Sequence, residues 1–196
     1  MQKVFGLILA AGYSCRSSVY KPLAKLNDKY FIQNILLKME KFCHKIIIVT
    51  GFRNELLKNK LEDCLPEKFL HNKIEFVFNS NFCKGMFTSI QTGVRHIQKL
   101  YTNNDLTLIH LVDQPYISEE VYKILILRAK DQKADVFLPS YKMKAGHPLI
   151  VNYKTIEQIA SAPANLTLRA VLKKVKREYV EVCDKNILKD VDTIDS

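Results

Sequence analysis

The sequence predicts a single α/β domain built on a doubly wound, mostly parallel sheet. Strand-like and helix-like segments alternate along the chain, and the strand-like segments are apolar without interruption. Such strands are buried on both faces, as they are when helices cover both sides of a parallel sheet. With 196 residues and a hydrophobic content of 47%, the chain is long enough to bury one sizeable core. No linker rich in Pro, Gly or Ser divides it, so we expect one domain over residues 1–196.

Six apolar segments are predicted to be strands because each is short, apolar and bounded by polar residues. They span residues 3–10, 45–50, 74–78, 106–112, 135–139 and 178–182. The sequence HPLIV, residues 147–151, is a candidate for an extra strand.

Six helices are predicted between these strands, from apolar residues that recur at helical spacing. They span residues 30–42, 53–62, 87–99, 118–130, 153–160 and 167–176. In a sheet of this kind, ligands bind outside the carboxyl ends of the strands. Residues that directly follow a strand are therefore the candidates for a functional site.

The net charge of +10 does not by itself indicate nucleic-acid binding. Lysines are spread along the helical segments, with a denser patch at residues 173–177, and no nucleic-acid readout motif is present. We interpret the patch as a solvated face, and the overall positive field would attract a small polyanionic substrate. We expect no nucleic-acid partner.

The composition also indicates neither a membrane protein nor a disulfide framework. No apolar run approaches the roughly 18 residues that cross a bilayer. The five cysteines are odd in number and form no C-x-x-C pair, which is typical of a reducing cytoplasm and argues against a zinc site. We therefore expect a cytoplasmic protein.

The first strand ends in the sequence LILAAGYSCRSSVYKPL, residues 7–23, which could bind an anion. Successive backbone amides around Gly12 can form an anion-binding turn. Arg16 can hold phosphate oxygens with two hydrogen bonds, and Lys21 supplies a compact charge. A solvated surface loop is the alternative. Neither the dinucleotide-binding pattern G-x-G-x-x-G nor the P-loop pattern occurs in the chain.

Asp113 directly follows the apolar strand 106–112 and is a candidate magnesium ligand. Mg²⁺ binds one or two carboxylates and completes its shell with phosphate oxygens and water. A helix cap is the alternative role, but Ser118 already fits that role for the next helix. Near the C-terminus, Asp190, Asp192 and Asp195 are candidates for a second carboxylate.

Two histidines differ in their predicted roles. His147 lies between Gly146 and Pro148 in a loop, where it either contacts a substrate or belongs to a turn. His110 lies inside a strand and is predicted to be a core residue with its hydrogen bonds satisfied. Cys15 is predicted to be a bystander thiol.

The motifs together resemble the MobA-like nucleotidyltransferases, and most of all their CTP:molybdopterin cytidylyltransferase branch. LAAGYSCRSSVYKPL resembles that family's L-A-A-G-x-S-x-R-M-G-x-x-K-x-L signature. Four further blocks follow in the family's order: NSNFCKGMFTSIQTG, LVDQPYIS, AGHPLI and DVDTIDS. The resemblance extends over essentially the whole chain.

The resemblance implies a Rossmann-like fold and a role for each matching residue. The base would be held by the backbone of four residues and the nucleoside by three more: Leu9, Ala10, Ala11 and Gly12, then Asn79, Gly85 and Ser89. Arg16 and Lys21 would bind the triphosphate, and His147 would face the acceptor. Asp113 and Asp192 would hold Mg²⁺.

The implied reaction is Mg²⁺-dependent transfer of a nucleotidyl group to a phosphate-bearing acceptor such as the molybdopterin cofactor, with release of pyrophosphate. CTP is favoured over GTP because Ala11 stands where guanylyl-transferring relatives typically have glycine. The alternatives are a cytidylyltransferase for a sugar- or alcohol-phosphate, and a non-catalytic nucleotide-binding module.

The chain departs from the family pattern at three places. Ser17-Ser18 stands in place of Met-Gly, Asn165 stands where an Asp is expected, and the last block lacks the Pro that follows Asp-Thr. The part of the pattern that would bind the nucleotide is therefore better supported than the part that would bind the acceptor.

Overall fold

The computed structural model describes residues 2–13, 20–131 and 133–191 and has the predicted alternation of strands and helices. The strands are β1 (Val4–Leu9), β2 (Lys25–Leu26), β3 (Lys29–Tyr30), β4 (Lys45–Thr50), β5 (Ile74–Phe78), β6 (Leu106–Leu111), β7 (Val136–Tyr141), β8 (Lys144–Ala145), β9 (Leu149–Asn152) and β10 (Arg177–Glu181). The helices are α1 (Phe31–Met39), α2 (Asn54–Cys64), α3 (Glu67–Lys73), α4 (Met86–Ile97), α5 (Glu119–Lys130), α6 (Tyr153–Ser161) and α7 (Leu168–Leu172). Three short 3-10 helices span Lys21–Leu23, Phe82–Lys84 and Lys185–Leu188.

The main sheet has the strand order β10-β7-β9-β6-β1-β4-β5, with β8 paired to β7. β1 is parallel to both β4 and β6, and β7 is parallel to β10. The chain runs from β1 outward through β4 and β5 and then returns to the other side of β1 as β6. This reversal creates a switch point at the carboxyl ends of β1 and β6, where an α/β sheet binds its ligand.

The predicted extra strand is confirmed as β9, and it runs antiparallel to both β6 and β7. The sheet is therefore mixed, although most of its long strands are parallel.

Alternating residues of the strands face two apolar layers, so the sheet has a core on each side. On one side Ile8 and its neighbours pack with α1, α2, α3 and α5. On the other side Leu7 and its neighbours pack with α4, α6 and α7. A Cβ on Gly93 of α4 would lie only 2.3 Å from a methyl carbon of Leu7, so glycine lets this helix approach the sheet closely.

Some elements differ from the prediction. The last helix was expected over 167–176 but ends at Leu172, because Lys176 already pairs with the start of β7: its carbonyl accepts hydrogen bonds from the amides of Asp135 and Val136. α3 and the β2–β3 ribbon were not predicted. The ribbon strands have two residues each, too few for an alternating pattern to be visible.

Within the described part of the chain, none of the helices combines the length and the apolar character that crossing a bilayer would require.

Candidate functional site

A cavity of about 370 Å³ opens at the carboxyl ends of β1 and β6, at the predicted switch point. We call it the β1 cavity. Its lining residues are Leu9, Ala10, Ala11, Gly12, Tyr13, Lys21, Pro22, Phe82, Cys83, Gly85, Met86, Ser89, Leu111, Val112 and Asp113. The first strand, the start of α4 and the end of β6 thus meet around one space.

The floor of the β1 cavity is the chain that leaves β1. The amide of Ala10 donates to the carbonyl of Val49, and the carbonyl of Ala11 accepts from the amide of Phe52. These bonds to the chain at and beyond the end of β4 fix the backbone of residues 9–12 in place. All four residues expected to hold the base lie on the cavity wall, and three of them are buried.

Lys21 and Asp113 form an ion pair on the wall of the cavity. The Lys21 ammonium donates to Oδ2 of Asp113 at 3.2 Å, and the side chains are 12% and 26% exposed. Ninety-two residues separate them in sequence. The structure therefore brings together the two charged residues that the sequence analysis selected from separate motifs.

Burial raises the pKa of the Asp113 carboxyl, the Lys21 ammonium opposes that effect, and the negative charge of Asp190 raises the pKa further. Asp113 thus lies near a like charge as well as a cation. A second positive charge placed here would stabilise the ionised carboxylate.

The C-terminal segment is bonded to the chain at Asp113 and Gln114. The amide of Val191 donates to the carbonyl of Asp113 at 2.9 Å. The side-chain amide of Gln114 donates to Oδ1 of Asp190 at 2.7 Å, and this bond fixes the orientation of the Gln114 amide. Oε1 of Gln114 is buried and accepts no hydrogen bond from the described residues.

The start of α4 forms the opposite wall. Gly85 precedes the helix with φ of 106°, a conformation that other residues adopt only with strain, and Ser89 faces the cavity one turn later. Asn79 is 2% exposed and lies behind this wall, where its amide donates to the hydroxyls of Thr88 and Ser89 at 3.0 Å. It therefore orients Ser89 from behind the cavity surface.

Two residues assigned by resemblance, Arg16 and Asp192, lie outside the described residues. Asp192 is the next residue after Val191, whose amide is bonded to the carbonyl of Asp113.

The donors around Asp113 suit a hard divalent cation. Mg²⁺ prefers oxygen ligands, and a carboxylate on the cavity wall with a second carboxylate near enough to affect its pKa is a suitable starting set. Within the described residues, no group of three or more His, Cys, Asp or Glu side chains is arranged to hold a metal. A metal here would take its other oxygens from the ligand, from water or from residues beyond Val191.

A second cavity, of about 540 Å³, adjoins the first, with Met86 on the wall of both. We call it the His147 cavity. Its lining residues are Met86, Leu138, Ala145, His147, Leu149, Thr167, Leu168, Arg169, Leu172, Arg177 and Tyr179. Arg169 and Arg177 are exposed, so the cavity has an apolar floor and a basic rim.

His147 is held in place by the C-terminal segment. Its amide donates to the carbonyl of Ile187 at 3.1 Å, and a Cβ on Gly146 would lie 2.0 Å from that same oxygen, so only glycine fits there. The peptide bond between His147 and Pro148 is cis. Burial lowers the pKa of the His147 imidazole, and the charge of Asp190 partly opposes this. His147 is therefore neutral at pH 7.

His110 is confirmed as a core residue. It is fully buried, its ring nitrogens contact the carbonyl of Leu111 and the hydroxyl of Tyr122 at 2.7 Å each, and burial lowers its pKa to about 3.

Several residues of the site were not selected from the sequence. Gln114 could have been, because it is polar and directly follows Asp113. Arg177 was interpreted as part of a solvated basic face. Tyr13 and Phe82 gave no signal, because aromatic residues are common in any core.

Comparison with known proteins gives a consistent result. Residues 6–181 match the model of the MobA-like NTP transferase domain. The chain is 24% identical over 195 residues to the molybdenum cofactor cytidylyltransferase of Escherichia coli, covering 100% of this chain and 94% of that protein. It is also 26% identical over 153 residues to a probable molybdenum cofactor guanylyltransferase of Natranaerobius thermophilus, covering 76% of this chain and 66% of that protein.

Solved structures share the fold. A homologue of Mycobacterium tuberculosis Rv0371c from Mycobacterium sp. strain JC1 has a TM-score of 0.74 at 20% identity and covers 97% of this chain and 90% of its own. Rv0371c of M. tuberculosis itself, solved in complex with manganese, has a TM-score of 0.63 at 14% identity, with 93% and 90% coverage.

Proposed function

The chain belongs to the MobA-like NTP transferase family and is a nucleotidyltransferase, and we propose that it transfers the cytidylyl group of CTP to a phosphate-bearing acceptor of the molybdopterin type. The observation that carries this proposal is the Lys21–Asp113 pair, which faces the backbone of residues 9–12 across the β1 cavity. The relative that spans this whole chain is named a molybdenum cofactor cytidylyltransferase. We assign residues 1–196 to this one domain. We place the reaction in the cytoplasm, where thiols are kept reduced, because four cysteines of the described residues are free: Cys43, Cys64, Cys83 and Cys183.

In the proposed reaction a phosphate oxygen of the acceptor attacks the α-phosphorus of CTP. A new phosphorus–oxygen bond forms, the bond to the bridging oxygen of the β-phosphate breaks, and pyrophosphate leaves with that electron pair. No covalent enzyme intermediate is needed. Catalysis then consists of aligning the two reactants and stabilising the charge that develops on the phosphates.

The residues of the β1 cavity would divide this work. The backbone of residues 9–12 and the wall formed by Gly85 and Ser89 would hold the nucleoside. Lys21 would bind the triphosphate as a point charge, together with Arg16. Lys21 would exchange its contact with Asp113, now 3.2 Å long, for the phosphates.

A divalent cation would be held by Asp113 and by Asp192. When bound, it would neutralise phosphate charge and polarise the reacting phosphoryl group. We propose Mg²⁺, since phosphates and one or two carboxylates are its usual ligands in proteins.

The acceptor would lie in the His147 cavity, which shares the Met86 wall with the β1 cavity. Its basic rim of Arg169 and Arg177 suits a phosphate-bearing molecule, and its apolar floor suits a flat ring system. The neutral imidazole of His147 can accept or donate one hydrogen bond there without adding charge.

CTP is proposed over GTP because Ala11, on the cavity wall, carries a methyl group where guanylyl-transferring relatives typically have glycine. Its carbonyl bonds to Phe52, so the methyl group cannot retreat from the ligand without breaking that bond. Less space beside the base favours a pyrimidine.

The test measures triphosphate binding and pyrophosphate release with CTP, Mg²⁺ and molybdopterin cofactor. Each component is omitted in turn, GTP is substituted for CTP, and a sugar- or alcohol-phosphate is substituted for the molybdopterin cofactor. Release that requires all three components supports the proposal. Pyrophosphate release only with a sugar- or alcohol-phosphate would contradict the assignment of a molybdopterin-type acceptor. Triphosphate binding without release under any of these conditions would identify a non-catalytic nucleotide-binding module.

A further inference from the structure

Three aromatic rings meet beside the β1 cavity. The Tyr13 ring lies 4.8 Å from the Phe52 ring and 5.0 Å from the Phe82 ring, measured between centroids. Tyr13 and Phe82 line the cavity, and Phe52 packs behind them. We call Tyr13 and Phe82 the aromatic wall.

The aromatic wall is firmly supported from below. A Cβ on Gly51 would lie 2.6 Å from Cγ of Phe82, so the Phe82 ring rests directly on the backbone of Gly51. Phe52 is fixed by a hydrogen bond from the Tyr20 hydroxyl to its carbonyl and by the guanidinium of Arg53, 5.2 Å from its ring centroid. Tyr13 therefore packs against two rings that are themselves packed, Phe82 against the backbone of Gly51 and Phe52 against Arg53.

Tyr13 nevertheless remains 46% exposed. Two supporting rings cover part of it, and the rest faces the cavity and solvent. Exposed aromatic surface on a concave, supported wall is suited to a flat apolar ligand, because stacking removes that surface from water.

The aromatic wall and the charged pair lie at opposite sides of β1. Phe52 follows β4 and Phe82 follows β5, whereas Asp113 follows β6, and the strand order is β6-β1-β4-β5. Neighbouring strands are about 4.8 Å apart, so the two ends of this region are separated by roughly 10–14 Å. That span suits an extended nucleoside triphosphate, with its phosphates at the Lys21–Asp113 end and its base at the aromatic end.

We propose that Tyr13, supported by Phe52 and Phe82, stacks on the nucleobase of the bound triphosphate and supplies a large part of the affinity for the base. This inference rests on the proposed function and adds a residue to its nucleotide site. Every base has an aromatic face, so stacking strengthens binding of any nucleotide, and the choice between CTP and GTP stays with the space beside Ala11.

The first test compares a ligand that has a base with one that has none. Base–aromatic stacking is worth about 1–3 kcal/mol, so Tyr13→Ala should weaken CTP binding between about fivefold and a hundredfold. Binding of inorganic tripolyphosphate, which has no base, should be unchanged. Tyr13→Phe should bind both ligands like the wild type, and so should the control Leu127→Ala, which removes an apolar side chain that is 65% exposed on α5.

The second test is spectroscopic. The chain has no tryptophan and nine tyrosines, so tyrosine emission can be observed directly. Stacking on a base should quench the emission of Tyr13 when CTP binds, and Tyr13→Phe should lose that part of the quenching while keeping its affinity. Tripolyphosphate should cause none of it.

The outcomes separate this inference from the proposed function. If the wild type binds CTP and a folded Tyr13→Ala binds it within twofold of the wild type, the stack is wrong and the proposed function stands. If Tyr13→Ala binds CTP and tripolyphosphate more weakly by the same factor, the stacking proposal is also wrong, because the Tyr13 ring would then act on the phosphates. If the wild type binds no triphosphate, both fail.

Discussion

The two cavities at the carboxyl edge of the sheet are built in different ways. The floor of the β1 cavity is backbone, residues 9–12, fixed by hydrogen bonds to the chain after β4. The walls of the His147 cavity are side chains from α4, β7, β8, β9, α7 and β10 and from the loop that carries His147. Residues far apart in sequence meet around both cavities, but only the β1 cavity has one continuous backbone segment as its floor.

This difference is consistent with the departure at Asn165. Backbone groups can contact a ligand whatever side chain the residue carries. A short sequence motif that sets the backbone conformation is therefore enough to specify these contacts. A cavity of side chains can be changed one residue at a time, because each position is substituted independently. The altered acceptor motif around Asn165 leads directly into α7, which lines the His147 cavity.

The largest effect should come from the charged end of the β1 cavity. Asp113→Asn keeps the shape of the side chain and removes the negative charge that would hold Mg²⁺ against the phosphates. Stabilisation of phosphoryl charge by a metal is worth several kcal/mol, so pyrophosphate release should fall at least about a thousandfold. Asp192→Asn should lower it as well.

Circular dichroism controls for the fold of both variants. An Asp113→Asn protein with more than about a tenth of wild-type turnover, a loss of only about 1.4 kcal/mol, would show that the metal is held elsewhere.

The next effect concerns the triphosphate. Lys21→Ala should weaken CTP binding by roughly tenfold to a hundredfold, since a hydrogen bond to a charged group is worth about 1.5–3 kcal/mol. Binding of cytidine, which has no phosphate, should change far less. Lys25→Ala, which removes an exposed lysine four residues away, is the matched control in calorimetric titration. Normal CTP binding by folded Lys21→Ala would place the phosphate contact elsewhere.

A smaller effect is expected in the His147 cavity. Arg177→Ala should raise the KM for the acceptor by about fivefold to tenfold, because an exposed charge contributes less than a buried one. Affinity for CTP should not change. Lys173→Ala tests whether any loss of basic charge has the same effect, since Lys173 is exposed and does not line the cavity. Equal changes in both variants would mean that Arg177 acts only through the general field.

The lowered pKa of His147 predicts a dependence of stability on pH. Because the pKa in the folded state lies below the unfolded value of about 6.5, the unfolded state takes up the proton first. The neutral His147 therefore contributes fully to the free energy of unfolding above about pH 6.5. That contribution is lost as the pH falls toward the pKa of His147 in the folded state. His147→Gln should reduce the slope of unfolding free energy against pH in that window, by up to about 1.4 kcal/mol per pH unit. An unchanged slope in urea titrations would contradict the lowered pKa.

The smallest effect should be on base choice. Ala11→Gly removes one methyl group from the wall of the β1 cavity and should shift the ratio of affinities toward GTP by about fivefold, which corresponds to about 1 kcal/mol. Competitive titration of CTP against GTP measures this ratio. A wild type that prefers GTP, or a ratio that does not move, would remove Ala11 from the account of base choice.

The sequence predicted the main sheet, most of the helices that cover it, and Lys21 and Asp113 as two separate candidate residues. These features depend on local signals: continuous apolar strands, helical periodicity, and charged residues placed directly after strands. The position of β9 was found from HPLIV, although its antiparallel direction was not predicted.

The remaining features depend on contacts between distant parts of the chain. Nothing local in Gln114 indicates that Asp190, 76 residues later, will accept its hydrogen bond. Asn79 was assigned to the nucleoside by resemblance, and only the fold shows that its amide is used to hold Ser89. In the same way, the aromatic wall exists only because β1, β4 and β5 end side by side.

The most direct test of the account is a thermal unfolding experiment with each of the four nucleoside triphosphates, with and without Mg²⁺. A ligand that binds only the native state stabilises it, by about 2.7 kcal/mol when its concentration is 100 times Kd. The account predicts the largest rise in Tm with CTP, a smaller rise when Mg²⁺ is omitted, and no effect of Mg²⁺ on CTP binding in Asp113→Asn. A wild-type Tm that no triphosphate raises, or a CTP-dependent rise that is the same with and without Mg²⁺, would contradict it.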